Sequence, residues 1–424
     1  MMQRTVIDEL KDRGFIFQMT ETGVEEAAKN EKLIVYVGFD PTGASLHVGH
    51  VIPIMGLAHL QRSGHQPIAL IGGGTALIGD PSGKQTERAL QPKETIEANA
   101  QSIKEQMKHF LRFEGENPAL MLNNADWLCQ LNLIDFLRDV GKHFSLGSML
   151  ARDSVKSRLD REQGISVTEF LYALLQSYDF MYLSEHHGCN MQMGGSDQWG
   201  NITAGIEYIR RTSGKSVHGI TFPLLTKADG GKFGKTESGA IWLDPNLTSP
   251  YEMYQFWLNT DDRDVIKFLK FFTFLPLERI FELEKEVQDN PEQRNAQKTL
   301  AWEFTALIHG ETATKAARGA SELLFGTTPD DLSQETLAYV EQIIPNSRIS
   351  RAQIAAGVAM PDVLVHTQLS TSKGEARRLI SQGGVYVNNQ RRNLDEEITS
   401  ADLLLNTAVL LRAGKKKYHL LIAK

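Results

Sequence analysis

Two histidines that bracket Val48 and Gly49, His47 and His50, stand where a strand-like run has ended and a helical pattern begins. Helix N-termini present unpaired N–H groups and partial positive charge, so imidazoles placed there face any polyphosphate held at that end. Gly49 removes a side chain between them and lets a flat ligand approach. Taken alone, such a pair could equally cap or decorate a helix. Much later, Lys232-Phe233-Gly234-Lys235-Thr236 lies in the glycine-rich stretch KADGGKFGKTESG, which predicts a mobile loop with Lys232 and Lys235 as point charges for phosphate. It is not the loop of P-loop NTPases, because Asp229 stands where that motif requires its first glycine.

Three further groups invite chemistry. Asp197 follows Gly194 and Gly195 in GGSDQWGN, where a carboxylate at a glycine-rich strand end is placed to hold ribose hydroxyls. Asp80, in GGGTALIGDPSGK, is a candidate partner for an ammonium group, and that stretch lacks the G-x-G-x-x-G of nicotinamide and flavin sites. Tyr172, Gln176 and Asp179 are spaced by four and three, which puts them on one face of a helix. A polar stripe usually faces solvent, but one with a single charge is thin for that purpose.

The elements that must position these groups are legible. KLIVYVGFD reads as a buried strand, LHVGHVIPIMGLAHLQRSG as a helix stopping at Gly64, and HQPIALIGGG as a second buried strand. Strand, helix, strand is a right-handed parallel unit, so residues 1–225 are expected to form an α/β domain with a Rossmann-like doubly wound parallel sheet. Ligands in such sheets sit at the carboxyl ends of the strands. Residues 93–113 and 150–180 carry helical spacing, and beyond Asp244 the segments SPYEMYQFWLNT, RDVIKFLKFFTFL and LERIFELEKEV predict an α-helical domain, so that 226–326 hold the lysine loop and these helices. A polar segment at 327–350 reads as a linker with one short helix. Residues 351–424 read as a small α+β domain: a helix from an N-cap at Ser370 or Thr371, a break at Gly383-Gly384, and a strand turning at Asn388-Asn389.

Length and charge narrow the function classes. At 424 residues, two to three domains are expected from roughly 150 residues each. Cys129 and Cys189 are too few for a disulfide framework, which suggests a reducing, cytoplasmic setting. The opening MMQRTVIDELKDRGF does not read as a signal peptide, and no stretch approaches the ~20 apolar residues of a membrane span. The net charge of −7 hides a split: residues 351–424 carry 11 Lys+Arg against 6 Asp+Glu, net +5, and residues 1–350 carry −12. Lys373, Arg377 and Arg378 on the predicted helix, with Lys415, Lys416 and Lys417 near the end, make two basic clusters that fit RNA.

His-x-Gly-His followed about 180 residues later by Lys-x-Gly-Lys-Thr resembles the paired signatures of class I aminoacyl-tRNA synthetases. YVGFDPTGASLHVGH, LIGDPSGK, GGSDQWGNI, KFGKTESG and TSPYEMYQFW resemble the bacterial tyrosyl-tRNA synthetases over nearly the whole chain, and the terminal segment resembles an RNA-binding module shared with a small-subunit ribosomal protein. The second motif departs from the generic Lys-Met-Ser-Lys-Ser in a way typical of the tyrosine branch. The resemblance implies that Tyr36 and Asp179 hold the phenol OH, that Asp80, Tyr172 and Gln176 surround the α-ammonium group, and that Gln198 lies near the carboxylate. It implies ATP contacts from Gly38, Asp40, His47, Gly49, His50, Gly195, Asp197, Lys232 and Lys235, with Thr236 beside them and Lys84 and Arg88 as weaker additions. Catalysis would rest on His47, His50, Lys232, Lys235 and Thr236. The resemblance further implies that ATP enters as substrate with Mg2+, without a tightly bound cofactor or a protein-held metal, that tRNA(Tyr) and L-tyrosine are the partners, and that the chain forms a homodimer, with neither DNA nor membrane expected. Two other readings stay open: another His-x-Gly-His nucleotidyltransferase, which would not explain the basic tail, and a catalytically dead RNA-binding paralogue, which loss of pyrophosphate exchange would favour.

Overall fold

A computed structural model describes residues 4–21, 23–82, 91–152, 155–156, 159, 165–231, 233–236, 239–327, 329–414 and 417–424. The chain divides into two units, one built from residues up to Thr248 with Thr260–Ala296, the other from Ser249–Asn259 with Gln297–Lys424.

The first unit is organised by a sheet of β1 (Gln18–Met19), β2 (Ile34–Phe39), β3 (Gln66–Ile71), β4 (Leu120–Asn123), β5 (Met191–Gly195) and β6 (His218–Phe222), in the order β1-β6-β5-β2-β3-β4. All neighbours are parallel except β1, which closes the edge antiparallel to β6. The order runs outward in both directions from β2 and β5, so the strand sequence switches there, and Tyr36 lies in register with Gln192 across that seam. The expected parallel doubly wound sheet is thus present. Its strands are apolar on both faces because helices cover both: Tyr36, Ile68 and Leu70 pack with Phe180 and Leu183 of the helix Val167–His186 and Ile209 of the helix Trp199–Ser213. On the other face runs the helix Val51–Arg62, where Gly56 sits so close to Phe222 that a Cβ would come within 2.7 Å of its ring. That helix ends at Gly64, whose φ of +88° suits glycine alone.

The segment read as one helical domain is divided by packing. The helix Asp262–Phe272 buries Val265, Phe268, Leu269, Phe271 and Phe272 within the first unit, and Arg13 closes its end by donating to the carbonyls of Lys270, Thr273 and Leu275 at 3.2, 3.3 and 2.6 Å. Pro250–Leu258 and the chain from Gln297 belong to the second unit instead.

In the second unit, a five-stranded sheet runs Gln390–Arg391, Val385–Val387, Ala408–Ala413, Lys417–Ala423, Asn346–Ile349. Asn388 and Asn389 have φ of +49° and +66°, the two-residue turn their types suggest. The helix Lys373–Ser381 is capped by Ser372, which accepts from Glu375 N at 3.2 Å, and not by Ser370 or Thr371; Thr371 instead donates through its hydroxyl to the Glu375 carboxylate at 2.6 Å. The polar segment 327–350 contains the expected short helix, Gln334–Ile343, and also the strand Asn346–Ile349, the sheet's parallel edge. NSRI lacks the apolar alternation of a half-buried strand because it lies at an edge, largely in solvent.

Candidate active site

A cavity of about 610 Å3 opens at the switch between β2 and β5. It is lined by Tyr36, Gly38, Asp40, His47, Gly49, His50, Asp80, Tyr172, Gln176, Asp179, Gly195, Asp197 and Gln198, so motifs scattered from residue 36 to residue 198 meet in one place.

Its inner end is built around Asp179, 2% exposed, which accepts from Trp127 Nε1 at 2.7 Å and from Asn124 Nδ2 at 2.9 Å. Burial pushes its pKa up to about 7, against the lowering effect of those two donors. The Tyr36 hydroxyl is buried with no hydrogen-bond partner among the described residues. Burial, then the nearby Asp179, holds its pKa well above the usual phenol value, so it keeps its proton. A cavity with an unpaired hydroxyl and a carboxylate that retains lone pairs can hold a group that both accepts and donates, as a phenol does.

The middle of the cavity is a hydrogen-bonded lattice. Tyr172 donates to Asp40 Oδ2 at 2.9 Å and Thr75 to Asp40 Oδ1 at 2.7 Å. Gln198 donates to Asp80 at 2.7 Å, and Asn201 Nδ2 donates to Gln176 at 3.0 Å and Gln198 at 3.2 Å. Two carboxylates fixed in this way create a negative recess for an ammonium group. Gly72 is required where the chain leaves β3, since a Cβ there would lie 1.9 Å from Asp40 Oδ1. Gly195 has a similar constraint, with Asp197 Oδ1 2.5 Å from its would-be Cβ.

At the mouth, the rings of His47 and His50 stack with centroids 3.8 Å apart. Gly49 N donates to His47 Nδ1 at 3.0 Å and His47 N to His50 Nδ1 at 3.3 Å, which assigns the proton of each neutral ring to Nε2. Val48–His50 form one 3-10 turn that leads into the helix Val51–Arg62, as the motif's placement suggested. The lysine loop is joined to this turn through the backbone: Ile241 N donates to Gly234 O at 3.1 Å and Val48 N to Ile241 O at 3.0 Å. Phe233 anchors it on Phe268 and Phe272, at centroid distances of 4.8 and 5.2 Å. Lys232 lies outside the described residues, as do Lys84 and Arg88; of Lys235 and Thr236 only the backbone is described, as a short strand paired with Gly239–Ala240.

The sequence reading missed Thr75, Asn124, Trp127, Gln192 and Asn201. The pair Asn123-Asn124, which ends β4 and follows it, was the available signal, a polar cluster at a strand's carboxyl end. Gln192 announces itself only in three dimensions, as a buried residue lining the cavity beside Tyr36 whose Oε1 has no partner among the described residues.

In the second unit, Lys373, Arg377 and Arg378 share the helix Lys373–Ser381, and Lys373 pairs with Asp362. The Thr371 hydroxyl and amide hold the Glu375 carboxyl below its usual value, with the more distant charges of Lys417 and Arg378 adding to the effect. Lys415 and Lys416 lie outside the described residues.

Residues 28–326 match the family described as tRNA synthetases class I (W and Y), and residues 340–421 match a tyrosine--tRNA ligase SYY-like C-terminal domain. The chain is 51% identical over 420 residues to the tyrosine--tRNA ligase of Roseiflexus castenholzii, covering 98% of this chain and 99% of that one. It is 50% identical over 423 residues to tyrosine--tRNA ligase 2 of Enterococcus faecalis, covering 99% and 100%. A C-terminally truncated mitochondrial tyrosyl-tRNA synthetase of Aspergillus nidulans superposes with a TM-score of 0.69 at 33% identity, covering 76% of this chain and 95% of that one.

Proposed function

We propose the residue roles below on the premise that this chain belongs to the class I tRNA synthetases of the tryptophan and tyrosine group, within it to the tyrosine--tRNA ligases. It activates L-tyrosine with ATP to tyrosyl-adenylate, releasing pyrophosphate, and transfers tyrosine to the terminal adenosine of tRNA(Tyr).

The observation that carries the assignment of the inner cavity is the unpaired Tyr36 hydroxyl beside the doubly anchored Asp179. Tyr36 donates to the phenol oxygen and the phenol donates to Asp179. Phenylalanine would leave the Tyr36 hydroxyl buried without a partner and deny Asp179 the phenol donor, a rule for which tyrosyl-tRNA synthetases are themselves the standard illustration. The substrate ammonium sits among Asp80, Tyr172 and Gln176, with Asp40 beside it and Gln198 near the carboxylate. Gly38 and Gly49 leave room for the nucleotide, and Gly195 and Asp197 receive the ribose.

The tyrosine carboxylate then attacks the α-phosphorus of ATP in line, the bond to the bridging oxygen breaks, and pyrophosphate departs with its electron pair. The terminal adenosine hydroxyl of the tRNA attacks the resulting acyl carbon, and AMP leaves. Neither step modifies a side chain, so the protein contributes positioning and stabilisation of developing phosphate charge. His47 and His50 meet the polyphosphate with Nε2, and Lys232, Lys235 and Thr236 reach it from the loop. Mg2+ would accompany ATP and offset the charge of its phosphates.

Residues 351–424, with Lys373, Arg377, Arg378 and Lys415–Lys417, hold tRNA after the loop and helices to residue 326 and the 327–350 linker. A homodimer is supported by the apolar side chains Leu133, Ile134, Leu146 and Val167, 67 to 73% exposed, on helices whose inner faces pack around Phe136, Met149 and Leu174. Sedimentation at twice 47.4 kDa is the expected reading, and a monomer would contradict it. Cytoplasmic residence is part of the same proposal; no helix among the described residues is long and apolar enough to cross a membrane.

The loop assignment is tested by Lys235→Ala, which should raise the barrier to adenylate formation by about 2 to 4 kcal/mol with tyrosine affinity unchanged. Pre-steady-state kinetics would read both, and a large loss of tyrosine affinity would remove Lys235 from this role.

A further inference from the structure

A second cavity, of about 500 Å3, lies at the C-terminal end of the helix Val51–Arg62 and shares no lining residue with the first. Its charged lining is Arg4, Arg13, Lys29 and Arg62 against one carboxylate, Glu9. Much of that charge is already engaged. Arg13, 3% exposed, donates to Glu9 at 2.6 Å and to three backbone carbonyls, and Arg4 pairs with Glu9 at 2.9 Å and Asp12 at 2.8 Å. Glu9 is thereby neutralised, and Lys29 and Arg62, both exposed, remain without a carboxylate partner among the described residues. Arg62 lays the face of its guanidinium over Phe274, Cζ 4.2 Å from the ring centroid. Stacking uses the face and leaves the N–H edge for an oxyanion.

Two imidazoles complete the recess. Leu33 N donates to His65 Nδ1 at 3.1 Å, which assigns the proton of the neutral ring to Nε2, a donor. His59 is 6% exposed, and its Nε2 is buried without a hydrogen-bond partner among the described residues. Burial, then Arg13 and Arg62, pushes its pKa down to about 3, as a positive field in a dry recess would. A buried imidazole nitrogen without a hydrogen-bond partner, which donates when it carries the ring's proton, beside two unpaired cations, is an arrangement an anion completes.

We propose that this recess binds a small phosphate-type oxyanion, seated between Arg62 and Lys29, with the Nε2 atoms of His59 and His65 donating to its inner oxygens. Free inorganic phosphate and the phosphate of a mononucleotide share this chemistry, and the test separates them.

Equilibrium dialysis of the full-length protein against radiolabelled inorganic phosphate, with the first cavity filled by a non-hydrolysable tyrosyl-adenylate analogue, should find one saturable site per chain. The double variant Lys29→Gln, Arg62→Gln should weaken it at least tenfold, since each charge-assisted hydrogen bond removed is worth about that factor or more. Unchanged tyrosine-dependent pyrophosphate exchange would show that the variant is folded. Displacement by AMP no better than by unlabelled phosphate identifies a free oxyanion, and displacement by AMP at tenfold lower concentration identifies a nucleotide. Absence of saturable binding, or binding unaltered in the variant, would overturn the proposal.

Discussion

Asp179 brings together the two demands of the inner cavity, burial and charge. With both oxygens accepting from Asn124 and Trp127 and with its pKa raised by burial to about 7, it binds a proton in the folded protein over the window from about pH 4 to 7 in which an unfolded chain would have released it. Stability of the free enzyme therefore falls as pH rises through that window. Tyrosine binding has the opposite slope. The ionised carboxylate accepts the phenol proton, so tyrosine affinity should tighten as pH rises through about 7, and Asp179→Asn should flatten the profile. Equilibrium dialysis with tyrosine across that range reads the slope; a flat profile in the unaltered protein would remove Asp179 as the acceptor. At this scale the sequence was generous where spacing does the work: Tyr172, Gln176 and Asp179 line one cavity because a helix repeats every 3.6 residues. It was silent about Trp127 and Thr75, whose parts depend on which strand ends lie side by side.

The turns leaving the strands set the geometry at the next scale. Gly72 follows the end of β3 and passes against the Asp40 carboxylate, itself bound by Thr75 and Tyr172. A methyl group there must push Asp40 aside, so Gly72→Ala should lower the rate of tyrosyl-adenylate formation by about 100-fold, the usual cost of misplacing a binding group by about an ångström. Stopped-flow measurement of adenylate formation checks this, and an unchanged rate would show that Asp40 adjusts freely. The strands β2 and β3 and the helix Val51–Arg62 could be read from apolar runs and Gly64. The edge strand Asn346–Ile349 could not, because its pairing is backbone-to-backbone and its side chains face water. The cap at Ser372 was misplaced because four residues from Ser370 to Lys373 include three with hydroxyls, and the competing Thr371 is engaged by the Glu375 side chain instead.

Across the whole molecule, activation and tRNA holding are assigned to different units, which makes them separable. Reversing Lys373, Arg377 and Arg378 to glutamate should leave tyrosine-dependent exchange intact and lower kcat/KM for tRNA charging. The same change should flatten the log–log salt dependence of charging by about one unit of slope for each phosphate that the protein no longer neutralises. Charging at the original rate and salt slope would take that helix out of the interface. The charge split that suggested this surface was visible in the sequence, because net charge is additive along the chain. The influence of Lys417 on Glu375 was not, because the two stand on different elements, the strand Lys417–Ala423 and the helix Lys373–Ser381. The most direct test of the central claim is ATP–pyrophosphate exchange by the purified protein, without tRNA, in the presence of each of the twenty amino acids in turn. Exchange with tyrosine alone is the predicted result; exchange with none, or equally with phenylalanine, would contradict the phenol site and the catalytic assignment together.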